Sequence, residues 1–243
     1  MPASKPSQKA VLITGAAKRV GRVIALEMAK AGYDVAISYN NSKTAAESLR
    51  KEILGIGQNA EIFHTDLHNT ERAKELVIEA SQAFAHLCVL INNASIFERS
   101  NFQETSISFL EKHLTTNFTA PFFLTQKFAE IVDKGHVINI VDSHIVRNET
   151  PFFAYLLSKK LLASFTEMAA IALAPNILVN SVSPGILLPS GPGFEEEYMV
   201  RKANKNPLKK LATPNDIAQT ILSLLTLSVT GQNIFLDGGA ALQ

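Results

Sequence analysis

Tyr155 and Lys159 stand four residues apart in Tyr155-Leu156-Leu157-Ser158-Lys159. The surrounding apolar pattern is helical, and on a helix that spacing puts both side chains on one face. An ammonium beside a phenol favours the tyrosinate form and should lower the Tyr155 pKa toward neutral pH. Such a tyrosine can give a proton to a substrate atom while the neighbouring atom is reduced. Asp142 lies thirteen residues before Tyr155 and closes the β-rich run Asn139-Ile140-Val141-Asp142. An ionised carboxyl only accepts hydrogen bonds, so it suits a partner that presents N–H groups, and a protonated one can pass a proton on. Low dielectric and a tyrosine neighbour should raise the Asp142 pKa and favour that shuttle.

A second group of residues could hold phosphates. Thr14-Gly15-Ala16-Ala17-Lys18-Arg19-Val20-Gly21 follows the first strand-like run, Ala10–Thr14. Gly15 permits a tight turn, and Gly21 permits close packing of helix on strand. Between them, the N–H groups of a helix N-terminus can meet a pyrophosphate. The second strand-like run ends Ser38-Tyr39-Asn40-Asn41-Ser42, and no acid occurs from Val35 to Ala46. An NAD site usually carries an acid near here for the ribose hydroxyls. Lys18 and Arg19 supply cations instead, so a 2′-phosphate is favoured and the expected cofactor is NADP, used as NADPH.

Strand-like and helix-like runs alternate along the whole chain. The expected strands are Ala10–Thr14, Asp34–Tyr39, Ala60–Phe63, Cys88–Ile91, His136–Val141, Ile177–Val182 and Asn233–Leu236. The helices between them are Arg19–Ala31, Thr44–Ile56, Glu71–Ala85, one long stretch from about Ile107 to Val132, Phe152–Ala174 and Asn215–Leu227. Strict βα alternation predicts an α/β fold, a single Rossmann-type doubly wound parallel sheet of about seven strands with helices on both faces. One domain over residues 9–243 is expected, preceded by a loose polar tail, residues 1–8. Residues 188–206 break the alternation, and the segment 186–206 reads either as a substrate lid or as a surface insertion.

The net charge is +1, so neither nucleic acid nor a membrane surface is an expected partner. No apolar run reaches the length of a membrane span. The single cysteine, Cys88, fits a reducing compartment and a cytoplasmic location. His64 and His68 have no evident third ligand, so no metal site is expected. The helix Phe152–Ala174 is apolar nearly all round. One face can cover the sheet and the other calls for a second subunit.

In order, Thr14–Gly21, Asn92-Asn93-Ala94-Ser95, Asn117, Tyr155 with Lys159, and Pro184-Gly185 make the chain resemble a short-chain dehydrogenase/reductase over nearly its whole length. The resemblance implies an enzyme in which Lys159 also holds the nicotinamide ribose and Asn117 holds a water. It implies that Asp66-Leu67 contacts the adenine, that Asn93, Ala94, Ser95, Pro184 and Gly185 join the cofactor site, and that four copies assemble. Three departures stand out: Arg19 for the middle glycine of the loop, Ser95 for the last glycine of NNAG, and Asp142 for the catalytic serine. Together they resemble the pteridine reductase branch, which reduces dihydropterins or folates with NADPH. There the stretch Asn92–Phe97 leads to an aromatic platform, so Phe97, Asp142 and Tyr155 are the expected substrate contacts. Asn40-Asn41-Ser42 departs from that branch where some members carry basic residues.

Two alternatives remain open in the sequence. Ser143 could take the serine role after a one-residue shift, giving a carbonyl reductase such as one acting on 3-oxoacyl-carrier-protein. Adjacent strand residues face opposite ways, which opposes both serving one site. A non-catalytic NADP sensor or scaffold is the other.

Overall fold

The computed structural model describes residues 9–148, 151–189 and 196–243. The expected tail, residues 1–8, lies outside them, as do residues 190–195 of the expected lid. The strands are β1 (Lys9–Ile13), β2 (Tyr33–Tyr39), β3 (Ala60–His64), β4 (Leu87–Asn92), β5 (Gly135–Ile140), β6 (Ile177–Pro184) and β7 (Asn233–Leu236). They form one parallel sheet in the order β3-β2-β1-β4-β5-β6-β7. The helices are α1 (Arg19–Lys30), α2 (Lys43–Ile56), α3 (Thr70–Ala83), α4 (Ile107–Leu114), α5 (Ala120–Ile131), α6 (Phe153–Leu173), α7 (Glu196–Lys205) and α8 (Pro214–Leu224).

Both faces of the sheet are buried, which is why its inner strands are continuously apolar rather than alternating. In β1, Val11 and Ile13 join a core with Ile24 and Met28 of α1, Leu49 of α2 and Ile217 of α8. Ala10 and Leu12 face the other way, onto Leu76 of α3, Leu124 and Phe128 of α5 and Ala170 of α6. Asp34 is buried in β2, and it is paired: Asn59 donates to Oδ1 from its amide at 2.7 Å, and Oδ2 lies 2.9 Å from His86 Nε2.

The chain leaves β1 toward β2 on one side and reaches β4 on the other. In such sheets a crevice opens at the carboxyl ends of the strands where the winding reverses. α1 points its N-terminus there. Its N-cap, Lys18, makes no side-chain capping bond, so the first N–H groups of the helix are left for another acceptor. α3, α4 and α8 are capped by Asn69, Ser106 and Thr213. A Cβ at Gly21 would stand 2.5 Å from the Gly15 carbonyl oxygen and 2.6 Å from Asn93 Nδ2, so only glycine lets α1 approach this closely.

Two elements differ from the sequence expectation. The long helix expected from Ile107 to Val132 is interrupted by a π-helical turn, Thr115–Thr119. Pro121 has no N–H to give the carbonyl four residues back and would clash with it in regular helix, and the wider turn absorbs that. Residues 196–205, within the segment expected as a lid or a surface insertion, form α7. Glu196 and Glu197 lie in its first turn and Lys202 and Lys205 in its last, the arrangement that suits the helix dipole.

Candidate active site

A cavity of about 1010 Å³ runs along the carboxyl ends of β1, β2, β4 and β5. Gly15, Lys18, Arg19, Val20, Gly21, Asn40, Asn41, Ser42, Asp66, Leu67, Asn93, Ala94, Ser95, Pro184 and Gly185 all line it. The sequence-based cofactor residues are thus brought together, Thr14 excepted. Thr14 sits buried behind the loop, where its hydroxyl accepts from the amides of Asn93 and Ala94 at 3.0 Å each. Asn93 Nδ2 donates to the Thr14 carbonyl at 2.8 Å. These bonds tie the loop after β1 to the end of β4.

The residues fit a dinucleotide phosphate. The uncapped start of α1 supplies N–H donors, and Asn40, Asn41 and Ser42 follow β2 with no carboxylate among them. Thr65 Oγ1 is buried against this part of the cavity with no partner among the described residues, a polar atom left for a ligand. Arg19 adopts the left-handed conformation, φ 53°, where an L-residue is strained by roughly 1–2 kcal/mol. Its guanidinium donates to the Pro189 carbonyl at 2.9 Å, joining the phosphate loop to the segment after β6.

At the other end, Tyr155, Lys159 and Asp142 meet. The Tyr155 hydroxyl donates to Asp142 Oδ2 at 2.7 Å. Lys159 Nζ donates to the Ile140 carbonyl at 2.8 Å and lies 5.9 Å from the Tyr155 ring centroid. Asp142 is the N-cap of a 3₁₀ turn, Ser143–Val146, and its Oδ1 accepts from the His144 amide at 2.8 Å. The His144 ring Nδ1 is also 2.8 Å from that oxygen.

This geometry corrects two electrostatic expectations. Tyr155 is not pulled toward tyrosinate. Burial and the Asp142 carboxylate at its hydroxyl push its pKa well above the ordinary value. Lys159 is fully buried, and burial lowers its own pKa to about 8 against the attraction of Asp142. The Asp142 pKa is not raised either. Burial pushes it up, but the hydrogen bonds and charge of His144, with the Tyr155 hydroxyl, outweigh burial and hold it below the usual carboxylate range.

The question between Asp142 and Ser143 has a geometric answer. Asp142 lines the cavity and bonds Tyr155, whereas Ser143 is buried, with its Oγ next to the position of Gly185. Asn117 is buried behind the cavity wall. Its Oδ1 accepts from the Ile96 amide at 2.9 Å, and its Nδ2 donates to the Ile96 carbonyl and to Ser158 Oγ, each at 3.0 Å. It fixes the strand-end segment that carries Phe97 to α6, and the π turn aims it there.

Phe97 is 42% exposed, too open for a core residue, and lines the cavity. Its ring stacks on Phe152 with centroids 4.4 Å apart and meets Tyr155 edge-on at 4.8 Å. Sequence reasoning missed Phe152, although its place three residues before Tyr155 puts it beside the same face. It also missed Lys112; within the segment expected as a lid, the cavity is lined by Tyr198 and Lys202. The last two belong to α7, whose existence composition did not reveal.

Residues 15–241 match the family described as enoyl-(acyl carrier protein) reductase. The chain belongs to the short-chain dehydrogenase/reductase family. It is 32% identical to an L-rhamnose 1-dehydrogenase (NAD(P)(+)) of a Sphingomonas species, over 95% of each chain. It is 28% identical to a 3-oxoacyl-[acyl-carrier-protein] reductase of Staphylococcus epidermidis, over 95% of this chain and 98% of that one. Among solved structures, FolM alternative dihydrofolate reductase 1 of Brucella canis, complexed with NADP, superposes with a TM-score of 0.90. That match has 32% identity and covers 97% of this chain and 95% of the other.

Proposed function

We propose that the protein is an NADPH-dependent reductase of a dihydropterin or folate. The observation that carries this reading is the carboxylate of Asp142 at 2.7 Å from the Tyr155 hydroxyl, where the family pattern has a neutral serine. A carboxylate beside a developing alkoxide would oppose ketone reduction. A pterin presents ring N–H and amino groups, which a carboxylate accepts. The likeness to a protein named as an alternative dihydrofolate reductase supports the same class.

Bound NADPH supplies the hydride. The remaining work falls to the chain. Phe97 gives a planar ring a face to lie on, with Phe152 stacked behind it; such stacking contributes about 0.5–1.5 kcal/mol beyond burial. Asp142 accepts from the ring's donors. Tyr155, kept protonated at neutral pH by its raised pKa, enters as a loaded acid. Lys159 offsets the charge left on it. Gly15, Lys18, Arg19, Val20, Gly21, Asn40, Asn41, Ser42, Asp66, Leu67, Asn93, Ala94, Ser95, Pro184 and Gly185 form the proposed cofactor bed, with Thr14 holding the loop behind it.

The reading includes a lid over 186–206, because Ile186, Leu187, Leu188, Tyr198 and Lys202 all line the cavity. It includes a homotetramer in the cytoplasm. Met168 and Ile171 of α6 are 70% and 83% exposed, an apolar face that suits a second copy. Among the described residues no helix is long and apolar enough to cross a membrane.

The test is turnover. With NADPH, a dihydropterin should be reduced and an acetoacetyl thioester should react far more slowly. The reverse ranking would replace this reading with carbonyl reduction.

A further inference from the structure

The two oxygens of Asp142 are given to different partners. Oδ2 takes the Tyr155 hydroxyl, and Oδ1 takes two donors from one residue, the amide and the ring of His144. An ionised carboxylate only accepts, so His144 Nδ1 carries the proton. The His144 ring lines the same cavity and is 28% exposed. The 3₁₀ turn places it: residue 144 follows the cap by two positions, so its N–H folds back onto the Asp142 side chain.

Resting on the reductase reading above, we propose that His144 is a positioning residue for the reaction. It clamps Oδ1 of Asp142 from two directions and so aims the other oxygen at Tyr155 and at substrate N–H groups. Other charged groups bear on the pair. Tyr155 and Lys159 face Asp142 from α6. Arg147, at the end of the 3₁₀ turn, donates to the Ala240 carbonyl. The imidazole is the largest influence that opposes burial in keeping Asp142 ionised. Without it, the largest opposition to burial is lost, and the carboxyl keeps its proton to higher pH. It then presents a donor where the substrate also presents donors.

The effect separates two things the imidazole supplies, a hydrogen bond and a charge. His144→Ala removes both. His144→Asn places an amide donor close to the former Nδ1 but carries no charge. On a dihydropterin, His144→Ala should lose about tenfold or more in kcat/KM, chiefly through KM, since a hydrogen bond to a charged group is removed. Its acidic limb should move to higher pH. His144→Asn should recover most of the KM above that limb while keeping the displaced limb. A His144→Ala enzyme with the wild-type pH profile and a KM within about twofold would overturn the proposal.

Infrared difference spectra give a readout free of turnover. In a pH titration, His144→Ala should show a protonated-carboxyl band that persists to higher pH than in wild type and vanishes when Asp142→Asn is added. A band with the wild-type pH midpoint also overturns the proposal, whatever substrate the enzyme reduces. If wild type fails on every pterin yet the band shifts, the substrate reading falls and the clamp stands. Should His144→Ala fail to fold, the displaced limb and the same band in His144→Asn decide the matter.

Discussion

Asp142 bears directly on the state of Tyr155. Its carboxylate lies 2.7 Å from the Tyr155 hydroxyl. Burial and that carboxylate together keep Tyr155 a phenol at working pH, and we propose that its single dissociable proton is what the site contributes. Tyr155→Phe should bind NADPH with near wild-type affinity and lose about 10²–10⁴-fold in kcat, the usual worth of general acid catalysis. Turnover within about threefold of wild type would remove Tyr155 from that role. Lys159 leads to a stability prediction. Its folded pKa of about 8 lies below the ordinary 10.5, so between those values the unfolded chain binds more protons than the folded one. The Lys159 contribution to stability thus rises with pH through that window, by at most about 3 kcal/mol. Urea unfolding should show this rise in wild type and not in Lys159→Met. Parallel pH curves for the two proteins would mean that Lys159 is not held against its ionisation.

The phosphate loop and α1 act as one element. The uncapped helix start, the glycine at 21 and the ties from Asn93 to Thr14 and Gly15 shape a bed that the backbone largely builds. Gly21→Ala should therefore cost both stability and NADPH affinity, because the added carbon meets a backbone carbonyl that cannot yield. A melting temperature and NADPH Kd matching wild type would show that the loop gives way more easily than its contacts suggest. In the proposed cofactor bed, Arg19 is the charge that reads the 2′-phosphate. Arg19→Ala should weaken NADPH binding by roughly 1.5–3 kcal/mol while NADH binding barely moves. Equal losses for both cofactors would assign Arg19 only to its bond with Pro189. The loop and the β2 end were legible in sequence because glycine spacing and the missing acid are local signals. The π turn at Thr115–Thr119 was not, since its cause lies in where Pro121 meets the helix and its effect is to bury Asn117. The Asp142–His144 contact was illegible for a similar reason: it depends on the turn that follows β5, and sequence gives only the adjacency.

At the scale of the molecule, the doubly wound sheet follows from the alternation of apolar runs and amphipathic helices, and every strand was visible to within a residue or two. α7 was the exception, hidden among prolines, glycines and charges. The electrostatics of the site were misread because burial and partner distance, not residue type, decide the sign of a shift. The apolar face of α6 was legible, and its consequence is testable. If the proposed tetramer packs through this face, Met168→Glu with Ile171→Glu should give a smaller species in light scattering while the helical signal stays. An unchanged mass would place the subunit contacts elsewhere. The central claim is that the carboxylate at Tyr155 selects a nitrogen heterocycle over a carbonyl. Its most direct measurement is kcat/KM for wild type and Asp142→Ser on a dihydropterin and on an acetoacetyl thioester, with NADPH. Asp142→Ser should lose pterin reduction while thioester reduction holds or improves. An Asp142→Ser enzyme that keeps its pterin activity would contradict it.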